Sequence, residues 1–358
     1  MKKVLLIILG IFVGTGLFFL VKLNQFYRDI YTPKQGNGHV QPAKTNYNLL
    51  FLGYGGEGHD GPYLTDTIMV VSVDLKNNKV TQISIPRDTW LKLETASGED
   101  FHTKVNTLYE IYLFPKDFPD VKNPKKVLFE GIKQITGLNI DNYVSVDFAG
   151  FTNMVDILGG VDIDVQNAFD DPEYPVEGKE NDLCGKQESD LPELEKIATQ
   201  SPKLAFPCRY EDLHFDAGIQ HMDGALALKF VRSRRSPQDG GDFARARRQQ
   251  LFLEAVKAKV LSIGIVTKII PLLDELKVHV KTDIPFDLSR KFATEITDAG
   301  KYQISHIVLS DRDYLDNSMS SSGQFVLIPK EGIDNWSNIH KIIKNALSVT
   351  PSPTPKSK

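Results

Sequence analysis

The sequence predicts an α/β sandwich. Three observations predict it: short apolar runs that end at glycine or proline, longer segments with apolar residues at helical spacing, and the alternation of the two along the chain.

Taken in order, Asn48–Gly53 is a short apolar run closed by glycine, which reads as a buried strand. Thr67–Val73 is a second strand, and Val80–Ile85 a third, joined to it by a turn at Lys76-Asn77-Asn78 and stopped by Pro86. Val121 to Thr136 has helical spacing and ends at Gly137. Tyr143–Val146 reads as a strand. Phe148, Phe151, Val155 and Leu158 recur at helical spacing and stop at Gly159-Gly160. Val161–Val165 alternates apolar and acidic residues, as a half-buried strand does. Residues 167–212 form an acidic, proline-bearing insertion, after which Ala225–Val231 resumes regular structure and Phe243–Val260 reads as a helix. The remainder to about Leu347 mixes both signals and completes the same domain, expected over 47–347. The tail, 348–358, carries Pro351-Ser352-Pro353-Thr354-Pro355 and is expected to be disordered.

The N-terminus has a different character. Met1-Lys2-Lys3 precedes an uncharged run from Val4 to Val21. At a rise of about 1.5 Å per residue that run spans roughly 27 Å, close to a bilayer core. No A-x-A pattern and no lipidation cysteine follows it, so an uncleaved transmembrane signal anchor is expected rather than a cleaved signal peptide. The lysines at positions 2 and 3 place residues 1–3 in the cytoplasm and the rest outside the cell membrane. Residues 22–46, with Pro33, Gly36, Gly38 and Pro42, read as a stalk. In such a compartment the two cysteines, Cys184 and Cys208, are expected to form a disulfide, with two free thiols as the alternative.

A net charge of −4 over 358 residues gives no global basic field for nucleic acid, so any anion site must be local. The eight histidines show no zinc-binding spacing, and no G-x-S-x-G marks an α/β-hydrolase. Gly53 to Gly58 lacks the G-K-[ST] ending of a phosphate loop. Three segments do carry chemistry. In the first, Arg232, Arg234 and Arg235 precede Gly240-Gly241-Asp242, where Asp242 reads as an N-cap. Arg245, Arg248 and Gln249 then share a helix face with Phe252 and Val256. Arginines on a buried face and in a first helical turn are unfavourable unless an anion sits there; a solvated basic surface is the alternative. In the second, Ser84-Ile85-Pro86-Arg87-Asp88 presents Arg87 and Asp88 at a strand end, as an anion site or a surface ion pair. Leu64-Thr65-Asp66-Thr67 offers a carboxylate that could hold Mg²⁺ beside a phosphate, or serve as a turn or cap.

Together these segments resemble the LytR-CpsA-Psr family. The likeness runs in order through Asn48–Gly53, Thr65-Asp66-Thr67, Ser84–Asp88, Lys104-Val105-Asn106, Tyr143–Asp147, Leu158–Asp162, Gly218–Leu228, Arg232/Arg234 and Asp242–Gln249. The resemblance implies a central mixed sheet sandwiched by helices, behind an N-terminal transmembrane helix. It implies a phosphotransferase that moves a glycan phosphate from a polyprenyl-pyrophosphate carrier to peptidoglycan or another wall glycan. It places Arg87, Lys104, Arg232, Arg234, Arg245 and Gln249 around the pyrophosphate, Asp66 on Mg²⁺, and Arg87, Asp242 and Arg245 in the catalytic segments. One position departs. Many members carry an aspartate shortly after the first strand, where this chain has Tyr54-Gly55, with Glu57 and Asp60 the nearest carboxylates.

Phe148, Phe151, Val155 and Leu158 are candidates for a lipid slot, or ordinary core. Two other functions use the same residues: a non-catalytic binder of lipid pyrophosphate or wall glycan, which the departure at Tyr54 would favour, and a polyprenyl-pyrophosphate pyrophosphatase. A nucleic-acid regulator is disfavoured, since the basic helix would lie outside the membrane.

Overall fold

The computed structural model describes residues 21–33, 44–59, 61–176, 178–179, 182–198, 201–260, 262, 267–296 and 301–348. The anchor expected over 4–21 therefore lies outside the described residues except for Val21, as does the tail beyond 348. Among the described residues no helix is long and apolar enough to cross a membrane. The chain divides into two compact units, one of residues 34–145 and 292–358, the other of residues up to 33 and 146–291.

The first unit opens with strands β1 (Asn46–Tyr54), β2 (Thr65–Asp74) and β3 (Lys79–Ser84). β1 pairs antiparallel with β2, and β2 antiparallel with β3. The β2–β3 turn is held by the Asp74 carboxylate, which accepts from the backbone N–H of Lys76 and Asn77. A hairpin of β4 (Trp90–Glu94) and β5 (Asp100–Lys104) follows, then helices α1 (Leu108–Leu113) and α2 (Val127–Thr136), and strand β6 (Asn142–Asp147). The helix expected from Val121 begins only at Val127, because Pro124 precedes it and the chain from Val121 turns before becoming helical. It ends where Gly137 takes φ 73, a left-handed conformation that glycine adopts at no steric cost.

The second unit begins with α3 (Phe148–Leu158), capped by the Asp147 carboxylate accepting from the Gly150 N–H and stopped by Gly159 at φ 79. Strands β7 (Val161–Val165), β8 (Phe169–Pro175), β9 (Tyr210–Phe215) and β10 (Gly218–Met222) form two antiparallel pairs, β7 with β10 and β8 with β9. Between β8 and β9 lies α4 (Leu191–Ala198), and Cys184 is bonded to Cys208, as expected. Leu194, Ala205 and Phe206 give the insertion a small core of its own. Helices α5 (Gly224–Arg232), α6 (Gly241–Val260) and α7 (Ile269–His279), strand β11 (Val280–Thr282) and helix α8 (Phe286–Ile296) come next. Residues 21–30, nearly all within the stretch 22–46 expected as a stalk, are helical. Its apolar side docks: Ile30 is buried, the Tyr27 hydroxyl donates to the Ile284 carbonyl at 2.7 Å, and Tyr27 stacks on Tyr31.

The chain then returns to the first unit with β12 (Gln303–Val308), which pairs parallel to β3 and makes the sheet mixed, in the order β6-β1-β2-β3-β12. The hairpin β13 (Leu315–Met319) and β14 (Phe325–Pro329) and helix α9 (Ser337–Ser348) complete it. This unit's core joins Leu50, Leu52, Val70 and Ile83 of the sheet to Leu128, Ile132 and Ile135 of α2 and to Ile339 and Ile343 of α9.

Candidate functional site

The chemistry of the first unit gathers where β3 ends. Ile85 still donates its N–H to the Ile68 carbonyl, but Pro86 has no N–H to offer and the ladder stops. Thr89 closes the turn, with both its N–H and its hydroxyl donating to the Pro86 carbonyl, at 3.1 and 2.7 Å. The Arg87 carbonyl accepts from the Asn106 N–H at 3.3 Å, and the Asp88 carbonyl from the Leu327 N–H at 2.9 Å. The backbone carrying Arg87 and Asp88 is thus tied to β2, to the segment after β5 and to β14.

Their side chains meet Asp66 and Lys104. Arg87 Nη1 lies 2.5 Å from Asp66 Oδ1, and Arg87 Nε 3.7 Å from Asp88 Oδ2. Lys104 Nζ lies 2.7 Å from the other Asp88 oxygen. Two cations and two carboxylates therefore form one chain of charge. Arg87 is 45% exposed and Asp88 only 17%, so the guanidinium is the accessible end. Pairs this open to solvent each contribute only about 0–1 kcal/mol. A multiply charged phosphate can therefore replace a carboxylate at little cost. The structure brings Asp66, Arg87 and Lys104 together, and Asp88, from the same motif as Arg87, pairs with both cations. Beside them Thr65 is buried and donates to the Asn106 carbonyl at 3.3 Å. The Asn106 side-chain oxygen is buried with no hydrogen-bond partner among the described residues.

The other predicted residues lie in the second unit, on the segment joining α5 to α6 and on α6 itself. The Arg232 guanidinium sits over the Phe148 ring at 4.2 Å. Asp171, 1% exposed, spends one carboxylate oxygen on three donors: the Ser233 hydroxyl at 2.6 Å, the Arg234 N–H at 3.0 Å and the Arg235 N–H at 3.1 Å. The Arg234 carbonyl accepts from the Gly241 N–H at 2.7 Å. These bonds fix the loop while the Arg234 side chain stays exposed.

Two expectations for α6 are corrected. The helix already includes Gly241, so Asp242 lies in its first turn and is not its cap; its side chain lies outside the described residues. The buried line of the helix is Ala244, Arg248 and Phe252, so the inward arginine is Arg248, at 2% exposure. Its charge is answered within the protein. Arg248 Nη1 donates to the Asp239 carbonyl at 2.9 Å and to its carboxylate at 3.2 Å, and Nη2 donates to the Ser233 carbonyl. Burial pushes its pKa down to about 10, which still leaves it cationic at neutral pH. No anion is needed to explain Arg248. Arg245 and Gln249 are half-buried, and Arg245 is near enough to disfavour the Arg248 charge further.

Phe148, Val155 and Leu158 are buried in this unit's core and Phe151 stacks on Phe252 at 4.6 Å, so their place is ordinary packing. In the first unit Tyr54 is buried against Tyr109 and Tyr63, with ring centroids 5.3 and 6.1 Å away. It fills an aromatic cluster and offers no carboxylate at this position. Glu57 is exposed, and Asp60 lies outside the described residues. The one grouping of three metal-type ligands among the described residues is Asp182 with Cys184 and Cys208, whose sulfurs are bonded to each other.

A mixed-sheet α/β fold with arginines at a strand end and on a loop is an arrangement suited to binding an anion. The sequence profile of the LytR_cpsA_psr family matches residues 17–341, and the chain belongs to that family. It is 28% identical over 253 residues to the polyisoprenyl-teichoic acid–peptidoglycan teichoic acid transferase TagV of Bacillus subtilis (strain 168), covering 69% of this chain and 52% of that one. It is 28% identical over 272 residues to the cell wall biosynthesis protein LcpA of Corynebacterium glutamicum, covering 70% and 43%. The chain thus spans about half the length of these two relatives. Against the transferase TagU of Bacillus mycoides (strain KBAB4) it is 26% identical over 322 residues, covering 85% and 88%. Among solved structures, B. subtilis TagV shares the fold with a TM-score of 0.54 at 23% identity, covering 87% of this chain and 100% of that one. Protein gbs0355 of Streptococcus agalactiae does so with a TM-score of 0.55 at 18% identity, covering 87% and 91%.

Proposed function

We propose that this protein is a membrane-anchored phosphotransferase. It moves a glycan with one phosphate from a polyprenyl-pyrophosphate carrier to a hydroxyl of peptidoglycan or another wall glycan. The supporting observation is the cation cluster at the end of β3, Arg87 and Lys104 steered by Asp66 and Asp88 within family motifs. In the reaction the acceptor hydroxyl oxygen bonds to the glycan-side phosphorus. The bond from that phosphorus to the bridging oxygen breaks, and polyprenyl monophosphate leaves. The hydroxyl proton ends on the leaving phosphate or in solvent. Such chemistry asks chiefly for positioning and for neutralisation of oxygens that gain charge. Arg87 and Lys104 neutralise pyrophosphate charge; the family resemblance assigns the same role to Arg232, Arg234, Arg245 and Gln249, with Asp242 in the same motif.

Mg²⁺ is part of this reading. Asp66 offers a hard oxygen, and the ion commonly takes one or two carboxylates with the rest from phosphate and water. One carboxylate fits that pattern, with Tyr54 leaving no second one after β1. When bound, the ion would share the neutralisation of phosphate charge. The apolar run 4–21 would hold the protein to the membrane with both units outside the cell, close to a lipid-borne substrate.

Incubating the purified chain with a polyprenyl-pyrophosphate-linked glycan and a wall-glycan acceptor tests the reading. Polyprenyl monophosphate and a phosphodiester-linked product should form together. Release of monophosphate without acceptor would make it a pyrophosphatase. Binding with no turnover would make it the non-catalytic binder that Tyr54 favours.

A further inference from the structure

Trp90 opens β4, and its cross-strand partner in β5 is Lys104. Leu91 and Leu93 turn into the core, at 0% and 4% exposure. Alternation along a strand therefore puts Trp90 and Lys92 on the opposite face, together with Lys104 and His102 of β5. The rings of Trp90 and His102 stand nearly parallel, 11° apart with centroids at 6.1 Å. His102 is itself fixed, its Nε2 lying 2.8 Å from Asp334 Oδ2. Lys92 pairs with Asp100 on the same face. Trp90, with the parallel His102 ring beside it, is thus rimmed by charged groups. It lies one cross-strand pair, about 5 Å between Cβ atoms, from the lysine that holds Asp88 beside Arg87.

A partly buried tryptophan on the polar face of a hairpin, with a parallel ring anchored next to it, is a surface that one chemistry suits closely. A hexopyranose has an apolar C–H face that an aromatic ring accepts, and hydroxyls at its edge that charged groups can bond. An aromatic ring with a polar rim serves such amphipathic partners. We propose that this face of the β4–β5 hairpin is a sugar subsite. It stacks a hexopyranose ring on Trp90 beside His102, while the phosphate joined or about to be joined to that sugar meets Arg87 and Lys104. The inference rests on the phosphotransfer reading and deepens it, since it places a sugar next to the phosphate. The ring could belong to the donor glycan or to the acceptor.

Calorimetric titrations of the full chain with inorganic phosphate, N-acetylglucosamine 1-phosphate and the β-1,4-linked N-acetylglucosamine disaccharide test it. The wild type should bind at least one sugar probe, the sugar phosphate about tenfold more tightly than phosphate alone, an increment in the range of one aromatic contact. Trp90→Ala should lose that sugar-dependent binding and keep its phosphate affinity; Trp90→Phe should retain most of it. Loss of the sugar-phosphate increment alone assigns the ring to the donor, and loss of disaccharide binding assigns it to the acceptor. If the wild type gains nothing from the sugar, or if Trp90→Ala keeps the gain in full, the subsite is overturned. Arg87→Ala separates the two ideas. An unchanged phosphate affinity in that variant would count against the phosphotransfer reading, while the disaccharide comparison at Trp90 would still decide the subsite.

Discussion

Arg87 has a carboxylate on either side of its guanidinium, Asp66 at 2.5 Å and Asp88 at 3.7 Å. Neither pair is buried enough to contribute much to stability, and the arginine is the most exposed of the four charged groups. Its removal should therefore separate function from folding. Arg87→Ala is expected to lower transfer about 10²–10³-fold, the size typical of losing one transition-state donor. Its midpoint in chemical denaturation should stay within about 0.5 kcal/mol of wild type. A variant with near-wild-type turnover would remove Arg87 from the site. Asp66→Asn gives a second, two-sided result. The amide keeps the size of the side chain but drops the charge that a metal needs and that Arg87 is paired with. The Mg²⁺ concentration for half-maximal rate should rise, while pyrophosphate affinity without metal should hold or increase as Arg87 is released. Glu57→Gln, on an exposed loop residue, should move neither curve. A Mg²⁺ titration identical to wild type would make Asp66 an orienting partner of Arg87 and nothing more.

On helix α6 two arginines one turn apart differ in burial. Arg248 replaces an apolar residue in the line Ala244–Arg248–Phe252, stacks over Phe169 at 4.6 Å and donates to Ser233 and Asp239. Arg248→Ala removes buried packing and leaves two carbonyls short of a donor, so it should destabilise the protein by about 2–4 kcal/mol. Arg245→Ala should cost less than about 1 kcal/mol and still abolish transfer. Denaturant unfolding of the pair, set beside their rates, checks both halves. Helical periodicity put Arg245, Arg248, Gln249, Phe252 and Val256 on one face but could not separate them. What separates them is Asp239 and Ser233 on the preceding loop, held by Asp171 far back in the chain, and tertiary partners of that kind leave no periodic signal. Capping was similarly half legible: the stops at Gly137 and Gly159 were readable, because glycine at a left-handed position has a local cause, whereas the start of α6 was displaced onto Gly241. The disulfide was readable from the even cysteine count and the compartment expected for the chain. Closing a loop of 24 residues should stabilise the insertion by up to about 3 kcal/mol. Mild reduction should speed proteolysis within 182–209 and leave transfer nearly unchanged; two alkylatable thiols in unreduced, exported protein would refute the bridge.

The division into two units was not legible in the sequence, for a physical reason. One boundary, between Ser145 and Val146, falls inside β6, and the other, between Lys291 and Phe292, falls inside α8. No proline- or glycine-rich linker marks either place, and composition analysis depends on such linkers. The order of strands and helices, by contrast, was readable, because buried strands in this chain are continuous apolar runs. The one long apolar run that belongs to neither unit's described core is Val4 to Val21. If that run holds the protein beside its substrate, its contribution is one of concentration and not of chemistry. A tethered enzyme meets a membrane-borne lipid at an effective concentration in the millimolar range, which a freely diffusing one does not reach. Deleting residues 1–20 should therefore leave the rate on a short-chain, water-dispersed prenyl-pyrophosphate glycan within about twofold of the full chain. On the long-chain substrate in vesicles the same deletion should cost at least about 10²-fold. The helix over 21–30 stays in the shortened chain, with Tyr27 and Ile30 still packed, so the comparison does not disturb the second unit. An equal loss on both substrates would show that the run supports the fold, and equal rates on both would show that the protein finds its lipid without it.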